Sequence, residues 1–407
     1  MCLYLTALTP TDAVTHGLIP AAARLGLPLV VLTDRPEEHR AAYAGSEHPP
    51  QAIEPVEVRE PGAIAARTLA LASRHGKPAA LFSNSDHLQT PTALAAELLG
   101  LPGKDWRATL RGKNKFLTRA ALADAGLDTV LSLDLSPADD LPAAAEALPF
   151  PVVLKPREGV ASEDVVLVRD PGELATEAAR IWAARGPCAL VAEEYLTGEL
   201  RTYETLGDGR RLHHFGSWRT TLGPGPFFTE SARDWAPRLP EPVERHLRAQ
   251  LDALGVGLGA CHTEFVIDGD RARVIEVNYR LIGDTMDLIC AELLDFDLFA
   301  ELIRLHLGLP LAAALPSPST MDTYARVRYV TAGQAGSLVD APADTAAELP
   351  GGLRLRHRRL RQIGVTAPLH GTNRDYLSVV HAIGPTSTAV TEAVDDFVAT
   401  HRWVVTA

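Results

Sequence analysis

Apolar positions along the chain follow two periods in turn. Leu27–Asp34 ("LPLVVLTD") is an unbroken apolar run of buried-strand length ending in a turn, and Pro78–Leu88 ("PAALFSNSDHL") is a second. The "TPTALAAELLGLPG" that follows spaces its apolar residues as a helix does and stops at Gly100. Strands separated by helical stretches predict a parallel, Rossmann-like sheet over the first hundred residues. The pattern changes near Asp105. Lys113–Leu127 predicts a helix that ends at Gly126. A connector rich in proline and acid, "SPADDLPAAAEALPFP", leads to the strand "PVVLKP". "EDVVLVRD" and "CALVAEEYL" supply further strands, with a helix over Glu173–Ala184 between them. Beyond Leu309-Pro310, "LAAALPSPST" reads as a linker before a last module of strands closed by a helix near Ser387–His401. No GxGxxG fingerprint follows the first strand, so dinucleotide binding is unsupported.

The stretch "HTEFVIDGDRARVIEVNYR", His262 to Arg280, predicts two strands joined at Asp268-Gly269-Asp270. If those three residues form the loop, Ile267 pairs with Arg271 and even-numbered residues share a face. That face carries Glu264, Val274, Glu276 and Asn278, and the other carries Phe265, Ile267, Ile275 and Val277. Adjacent carboxylates repel unless a positive group lies between them or one is protonated. A hard divalent cation such as Mg²⁺ takes carboxylate and amide oxygens, usually one or two protein carboxylates plus phosphates. The bland alternative is a solvated hairpin face.

Composition narrows the classes. The chain has 407 residues, long enough for two or three domains with buried cores, and its 46% hydrophobic and 22% charged residues are ordinary for a globular protein. A net charge of -12 argues against a nucleic-acid or membrane-surface binder. No run of 18 apolar residues suggests a membrane span. "MCLYLTALTP" lacks a basic start and a long apolar segment, so no secretory signal is expected. Cys2, Cys188, Cys261 and Cys290 lack CxxC spacing, which fits a reduced cytoplasm with neither a zinc site nor a disulfide frame. Lysine is scarce: Lys77, Lys104, Lys113, Lys115 and Lys155 are the five.

That scarcity gives Lys155, inside the apolar "VVLKP", a meaning. A buried ammonium costs desolvation unless it meets an anion, and it suits phosphate as a point charge. A strand-end lysine reaching solvent is the plain alternative. The loop after it, "PREGVASEDV", holds Gly159, Ala161 and Ser162, which would let backbone N–H groups approach a phosphate, although such loops are more often turns. "VAEEYLTGEL" ends a strand in paired glutamates and a glycine turn, by itself an unremarkable edge. Lys115 would ordinarily be a solvated helical lysine. "GVGLGA" (Gly255–Ala260) precedes a strand and reads as a tight turn. His213 and His214 lack a third ligand and read as structural. Arg219, Glu230 and Arg233, within Ser217–Trp235, are candidates for gripping charged substrate groups.

In this order, Lys115, Lys155 in "VVLKP", the small-residue loop, "EEYLTGE" and "HTEF…IEVNYR", the chain resembles the ATP-grasp superfamily. Within it, the chain most resembles the carboxylate–amine ligase branch, alongside bacterial L-amino-acid ligases and dipeptide-forming enzymes of natural-product pathways. The resemblance is most specific over Leu81–Asp284. It implies a fold that is α/β and α+β: an N-terminal Rossmann-like domain (1–105), an ATP-grasp domain (106–310, small lobe about 112–185, large lobe about 186–310), and a strand-rich C-terminal module (311–407). It implies that Lys115, Lys155, Gly159 and Ser162 face nucleotide phosphates. Glu193, with the backbone of Glu194, Tyr195 and Leu196, would hold adenine, and Glu199 the ribose. Glu264, Glu276 and Asn278 would bind two Mg²⁺ ions, with Mn²⁺ as a substitute. Arg280, with Lys155, would serve catalysis by steadying the transferred phosphoryl group. The implied partners are a small carboxylate, an amine and a second copy of the chain.

Two features depart from the family pattern. "GVASEDV" places Glu163-Asp164 where many relatives end the phosphate loop in glycine. Acid beside a triphosphate is unfavourable, so these side chains either turn away or meet a cationic substrate. "NYRLIGD" also replaces a proline- or glycine-rich tail, which leaves substrate geometry near Gly283 and Asp284 open. Two rival readings remain: an ATP-grasp enzyme acting with bicarbonate or a phosphoribosyl amine, and a non-catalytic nucleotide-binding module.

Overall fold

The structure, a computed structural model, describes residues 1–139, 141–159 and 161–407. Four sheets organise the described residues. The first is wholly parallel, with strands β1 (Cys2–Thr6), β2 (Leu29–Thr33), β3 (Ala52–Pro55) and β4 (Pro78–Ser83) in the order β3-β2-β1-β4. The apolar runs expected at Leu27 and Pro78 are β2 and β4. The run-in "CLYLT" adds a strand that the pattern leaves unnamed: β1 is buried along its whole length and lies between them.

The second sheet is antiparallel and holds β5 (Ser132–Leu135), β6 (Val152–Pro156), β7 (Val166–Val168) and β8 (Leu190–Glu194) in the order β5-β8-β6-β7. The helix Pro171–Arg185 covers it with Leu174, Ala178 and Ile181, spaced one turn apart, against Val152, Leu154, Val168 and Ala192. Proline at its first turn and the Asp170 side chain accepting from the Glu173 N–H at 2.9 Å start that helix two residues earlier than the apolar spacing predicts.

The third sheet has ten strands: β9 (Glu199–Asp208), β10 (Leu212–Gly216), β11 (Trp218–Leu222), β12 (Glu230–Trp235), β13 (Leu258–Asp268), β14 (Arg271–Asn278), β15 (Tyr324–Thr331), β17 (Thr345–Leu349), β18 (Leu353–Arg359) and β20 (Tyr376–Gly384). Its order is β14-β13-β9-β11-β12-β15-β20-β18-β17, with β10 paired to β9. The strands beyond residue 310 therefore continue the sheet that carries the β13–β14 hairpin. A three-stranded sheet of β16 (Gly336–Asp340), β19 (Thr366–Ala367) and β21 (Val404–Thr406) flanks it. Helices Met286–Leu294 and Leu298–His306 join its core to that of the parallel sheet.

Two local expectations need correction. The predicted helix from Lys113 is interrupted at Asn114, which is extended (φ -95°, ψ 105°) and caps a new helix, Lys115–Asp124, by accepting from the Leu117 N–H at 3.1 Å. Lys115 thus opens a helix and is buried. In the hairpin, Asp268 pairs with Arg271, so the turn is Gly269-Asp270, one residue tighter than predicted. The tighter turn places Val274 opposite Phe265, and both lie in the core. Between Glu264 and Phe265 the register shifts, leaving Ile275 unpaired as a bulge, and beyond it Glu264 again meets Glu276. Val274 and Ile275 therefore exchange the faces expected of them.

Candidate active site

A cleft of about 270 Å³ lies between the second sheet and the hairpin end of the ten-stranded sheet. Lys155 and Glu193 face it from β6 and β8, where Val153 pairs with Glu193 and Lys155 follows two residues on. Lys155 Nζ is 2.7 Å from Glu193 Oε2. Arg119, one turn beyond Lys115, grips the same carboxylate with Nε at 2.9 Å and Nη2 at 3.1 Å. Burial opposes ionisation of Glu193, but Arg119 and Lys155 overcome it and hold the carboxyl well below the usual range. Burial pushes Lys155 down despite Glu193. Lys115 moves the other way: burial lowers it, and Glu276 more than restores it through a 2.8 Å ion pair.

The opposite wall is the hairpin. Glu264 and Glu276 form a cross-strand pair, and Asn278 stands opposite His262 two pairs further on. All four line the cleft. His262 is buried between two acids, with Nδ1 2.8 Å from Glu204 Oε1 and Nε2 3.1 Å from Glu264 Oε1. Burial opposes its charge, yet Glu204 and Glu264 push it up to about 9. Glu264 resists burial through His262 and falls to about 2, an ionised oxygen donor. Among the described residues no three His, Cys, Asp or Glu side chains gather as a metal site. Two carboxylates and an amide suit a hard ion that takes its remaining ligands from phosphate and water.

Arg280 also lines the cleft. Its Nη1 donates to the carbonyls of Leu281 (2.7 Å) and Ile282 (2.6 Å), and its Nε is 3.6 Å from Asp86, which also pairs with Lys113. Gly159, Ala161 and Ser162 line the rim, while Val160 lies outside the described residues. The acids of this loop turn away: Glu163 meets Arg185 and Arg374, and Asp164 meets Arg180 and Arg185. Glu194, Tyr195 and Leu196 line the cleft by position. The Glu194 carboxylate itself points to Arg273 at 2.8 Å, and the N–H groups of Glu194 and Tyr195 donate to the carbonyls of Leu131 and Pro151. Glu199 is not among the lining residues; it stands between Gly198 and Leu200, which are, with its carboxylate 2.7 Å from Arg201 and 3.7 Å from Arg219.

Farther in, Glu230 and Arg233 line the cleft as a buried pair at 2.6 Å, and the Tyr376 hydroxyl donates to the Glu230 carbonyl at 2.9 Å. Arg219 points outward, half exposed. His213 bonds the Pro316 carbonyl at 2.9 Å and His214 stacks on Tyr203. Sequence reasoning passes over Arg119 and His262 as site residues, and it names Asp284, which also lines the cleft, only for substrate geometry. The spacing of Arg119 four residues after Lys115 is the one signal that could have flagged it.

No family model matches the chain. It is 26% identical over 236 residues to an alanine–anticapsin ligase of Bacillus subtilis (51% of this chain, 49% of that protein) and 29% identical over 324 residues to carnosine synthase 1 of Gallus gallus (73% and 34%). The chain spans half or less of the length of these curated relatives. Among solved structures, the L-amino acid ligase from Bacillus licheniformis superposes with a TM-score of 0.80 at 19% identity, covering 100% of this chain and 99% of that one. The biotin carboxylase domain of Hydrogenobacter thermophilus 2-oxoglutarate carboxylase, solved with MgADP and bicarbonate, superposes at 0.70 and 16% identity over 99% and 90%.

Proposed function

The chain has the ATP-grasp fold from end to end, and on that premise we propose that it is an ATP- and Mg²⁺-dependent ligase joining a carboxylate, an amino acid's by preference, to an amine. One observation carries this reading: Lys115, Lys155, Arg280, Glu264, Glu276 and Asn278 converge on a single cleft. The likeness to a structure solved with MgADP supports the nucleotide and metal. The alanine–anticapsin ligase and the L-amino acid ligase support the reaction class.

A carboxylate is a poor electrophile because oxide is a prohibitive leaving group. Phosphorylation by ATP converts it to an acyl phosphate, which an amine attacks to give the amide, ADP and phosphate. Lys155 and Lys115 hold phosphate oxygens, Gly159 and Ser162 offer backbone contact, and Arg280 steadies the transferred group. Glu264, Glu276 and Asn278 would hold Mg²⁺, or Mn²⁺ in its place, which would supply positive charge against the phosphates. Leu196 and the carbonyls of Glu194 and Tyr195 meet the adenine edge, with Glu193 acting through Lys155, and Glu199 turns from Arg201 to the ribose. Glu230 and Arg233 flank the substrate side. Water must be excluded, or the acyl phosphate hydrolyses.

In the same reading residues 1–105 form the Rossmann-like domain, 106–310 the ATP-grasp domain and 311–407 its completing module. Because β8 hydrogen-bonds to β5 and β6, we extend the small lobe to Glu194 and begin the large lobe at β9. A cytoplasmic location, a dimeric assembly and a natural-product role belong to this proposal. Phosphate release screened over pairs of amino acids tests it. Release that requires both an acid and an amine supports the ligase, release with bicarbonate alone points to the carboxylase-like rival, and ADP binding without turnover leaves a nucleotide-binding module.

A further inference from the structure

The acidic pair Glu163-Asp164, foreign to a phosphate loop, finds its use in holding that loop. Ala161, Ser162 and Asp164 have φ of +57°, +56° and +55°, a region that non-glycine residues keep only when their surroundings over-determine it. Here the surroundings are three arginines. Asp164 Oδ1 is 3.1 Å from Arg180 Nη1, and Glu163 Oε2 is 3.1 Å from Arg185 Nη2, both on the helix that covers the second sheet. The third, Arg374, reaches Glu163 from a different part of the fold.

Arg374 stands on a stiff turn. Thr372 and Asp375 cap each other reciprocally, and the buried Asp375 also accepts from the N–H of His370 at 3.0 Å. The neighbouring Asn373 lines the cleft and accepts from the Glu230 N–H at 3.2 Å. One short turn therefore touches the phosphate loop through Arg374 and the substrate wall through Asn373. A second contact follows the same route: Val166 bridges to Phe227, and the Leu167 N–H donates to the Pro226 carbonyl at 3.3 Å. The Phe227 segment is anchored in turn by Thr229 Oγ1 donating to the Gly371 carbonyl at 3.0 Å.

We infer that Arg374 is a positioning residue: through Glu163 it fixes the backbone of Ala161 and Ser162 over the nucleotide cleft, replacing with a charge clamp what a glycine-ended loop leaves to backbone freedom. The inference rests on the nucleotide role proposed for that cleft.

The test compares Arg374→Ala, Arg374→Lys, Glu163→Gln and the double variant Arg374→Ala/Glu163→Gln in the full chain. Amide hydrogen exchange at residues 161–165 is followed without ligand, and MgADP affinity by titration. The Arg374 side chain is 61% exposed, so its truncation leaves the fold intact. Arg374→Ala should speed exchange in the loop and weaken MgADP by about two- to fivefold, the range of a partly exposed ion pair. Arg374→Lys should recover most of both. The double variant should be no worse than the poorer single, because one interaction is being removed. Wild-type exchange in Arg374→Ala, or losses that multiply in the double variant, would overturn the inference. If the wild type itself fails to bind MgADP, the functional proposal fails, while the exchange comparison still decides whether Arg374 holds the loop.

Discussion

Glu264 and Glu276 face each other across β13 and β14 because Ile275 is left out of the pairing between them. A regular strand would send Val274 and Glu276 to the same side. The bulge lets Val274 enter the core opposite Phe265 while Glu276 faces the cleft. Core chemistry and site chemistry are thus written into adjacent residues of one strand.

The first prediction separates Val274 from its neighbour Ile275. Val274→Ala should cost roughly 1–3 kcal/mol of stability by opening a hole in the core, whereas Ile275→Ala should stay within about 1 kcal/mol. Urea unfolding of the two variants measures the difference, and a larger loss for Ile275 would refute the observed register.

Lys155→Ala and Glu276→Ala should lower amino-acid-dependent phosphate release by about two to three orders of magnitude while both proteins remain folded. Folding survives because Glu193 keeps Arg119 when Lys155 is removed. Wild-type turnover in either purified variant would break the site assignment.

Glu193 carries a pH signature. Its folded pKa lies below the ordinary 4.5, so its stabilisation is complete above that value and drains away as pH falls beneath it. Glu193→Gln should cost roughly 3–5 kcal/mol near neutrality, because Arg119 and Lys155 lose their shared counter-ion. It should also flatten the decline in stability below about pH 4.5. Denaturant midpoints measured across that range decide, and an unchanged acid limb would count against the triad.

Gly198 has φ +143°, and a methyl group there would come within 2.5 Å of Val266 Cγ1 and 2.6 Å of the Ile267 carbonyl oxygen. Gly198→Ala should therefore displace the run Glu194–Glu199, costing roughly 1–3 kcal/mol and weakening MgADP in a calorimetric titration. Unchanged affinity would mean that this run does not touch the nucleotide.

Chelation with EDTA should abolish phosphate release, and Mg²⁺ or Mn²⁺ should restore it. Glu264→Gln should shift the Mg²⁺ requirement about tenfold or more upward, since a neutral amide replaces one anionic ligand. An unaltered Mg²⁺ titration in this variant would remove Glu264 from the ligand set.

Much of the framework is legible in the chain. Apolar runs closed by turns mark β2, β4, β6 and β8, and the acidic hairpin stands out because carboxylates in β-forming runs need a reason. What stays hidden is set by side chains meeting across long sequence separations. β1 is five residues without a flanking period. The break at Asn114 needs its side chain to compete with the helix it interrupts. The bulge is invisible because turn length and core packing demand different registers, and only the folded strand shows how both are met. Arg119 and His262 belong to pairings 74 and 58 residues apart; the spacing from Lys115 marks Arg119 itself, but no local rule reaches either partner.

The hydrogen bonds between β12 and β15 also bear on how this protein can be engineered. Severed at the proline-rich stretch after residue 310, the upstream fragment would present the bare edge of β12 as an open template for aggregation. Glu230 and Arg233 lie on that same strand, and Glu230 would lose the Tyr376 hydroxyl that bonds its carbonyl. Grafting a foreign C-terminal quarter onto this chain would accordingly rebuild one flank of the reaction chamber and remove the Arg374 contact to the phosphate loop, so chimeras cut there should change substrate choice and nucleotide affinity together.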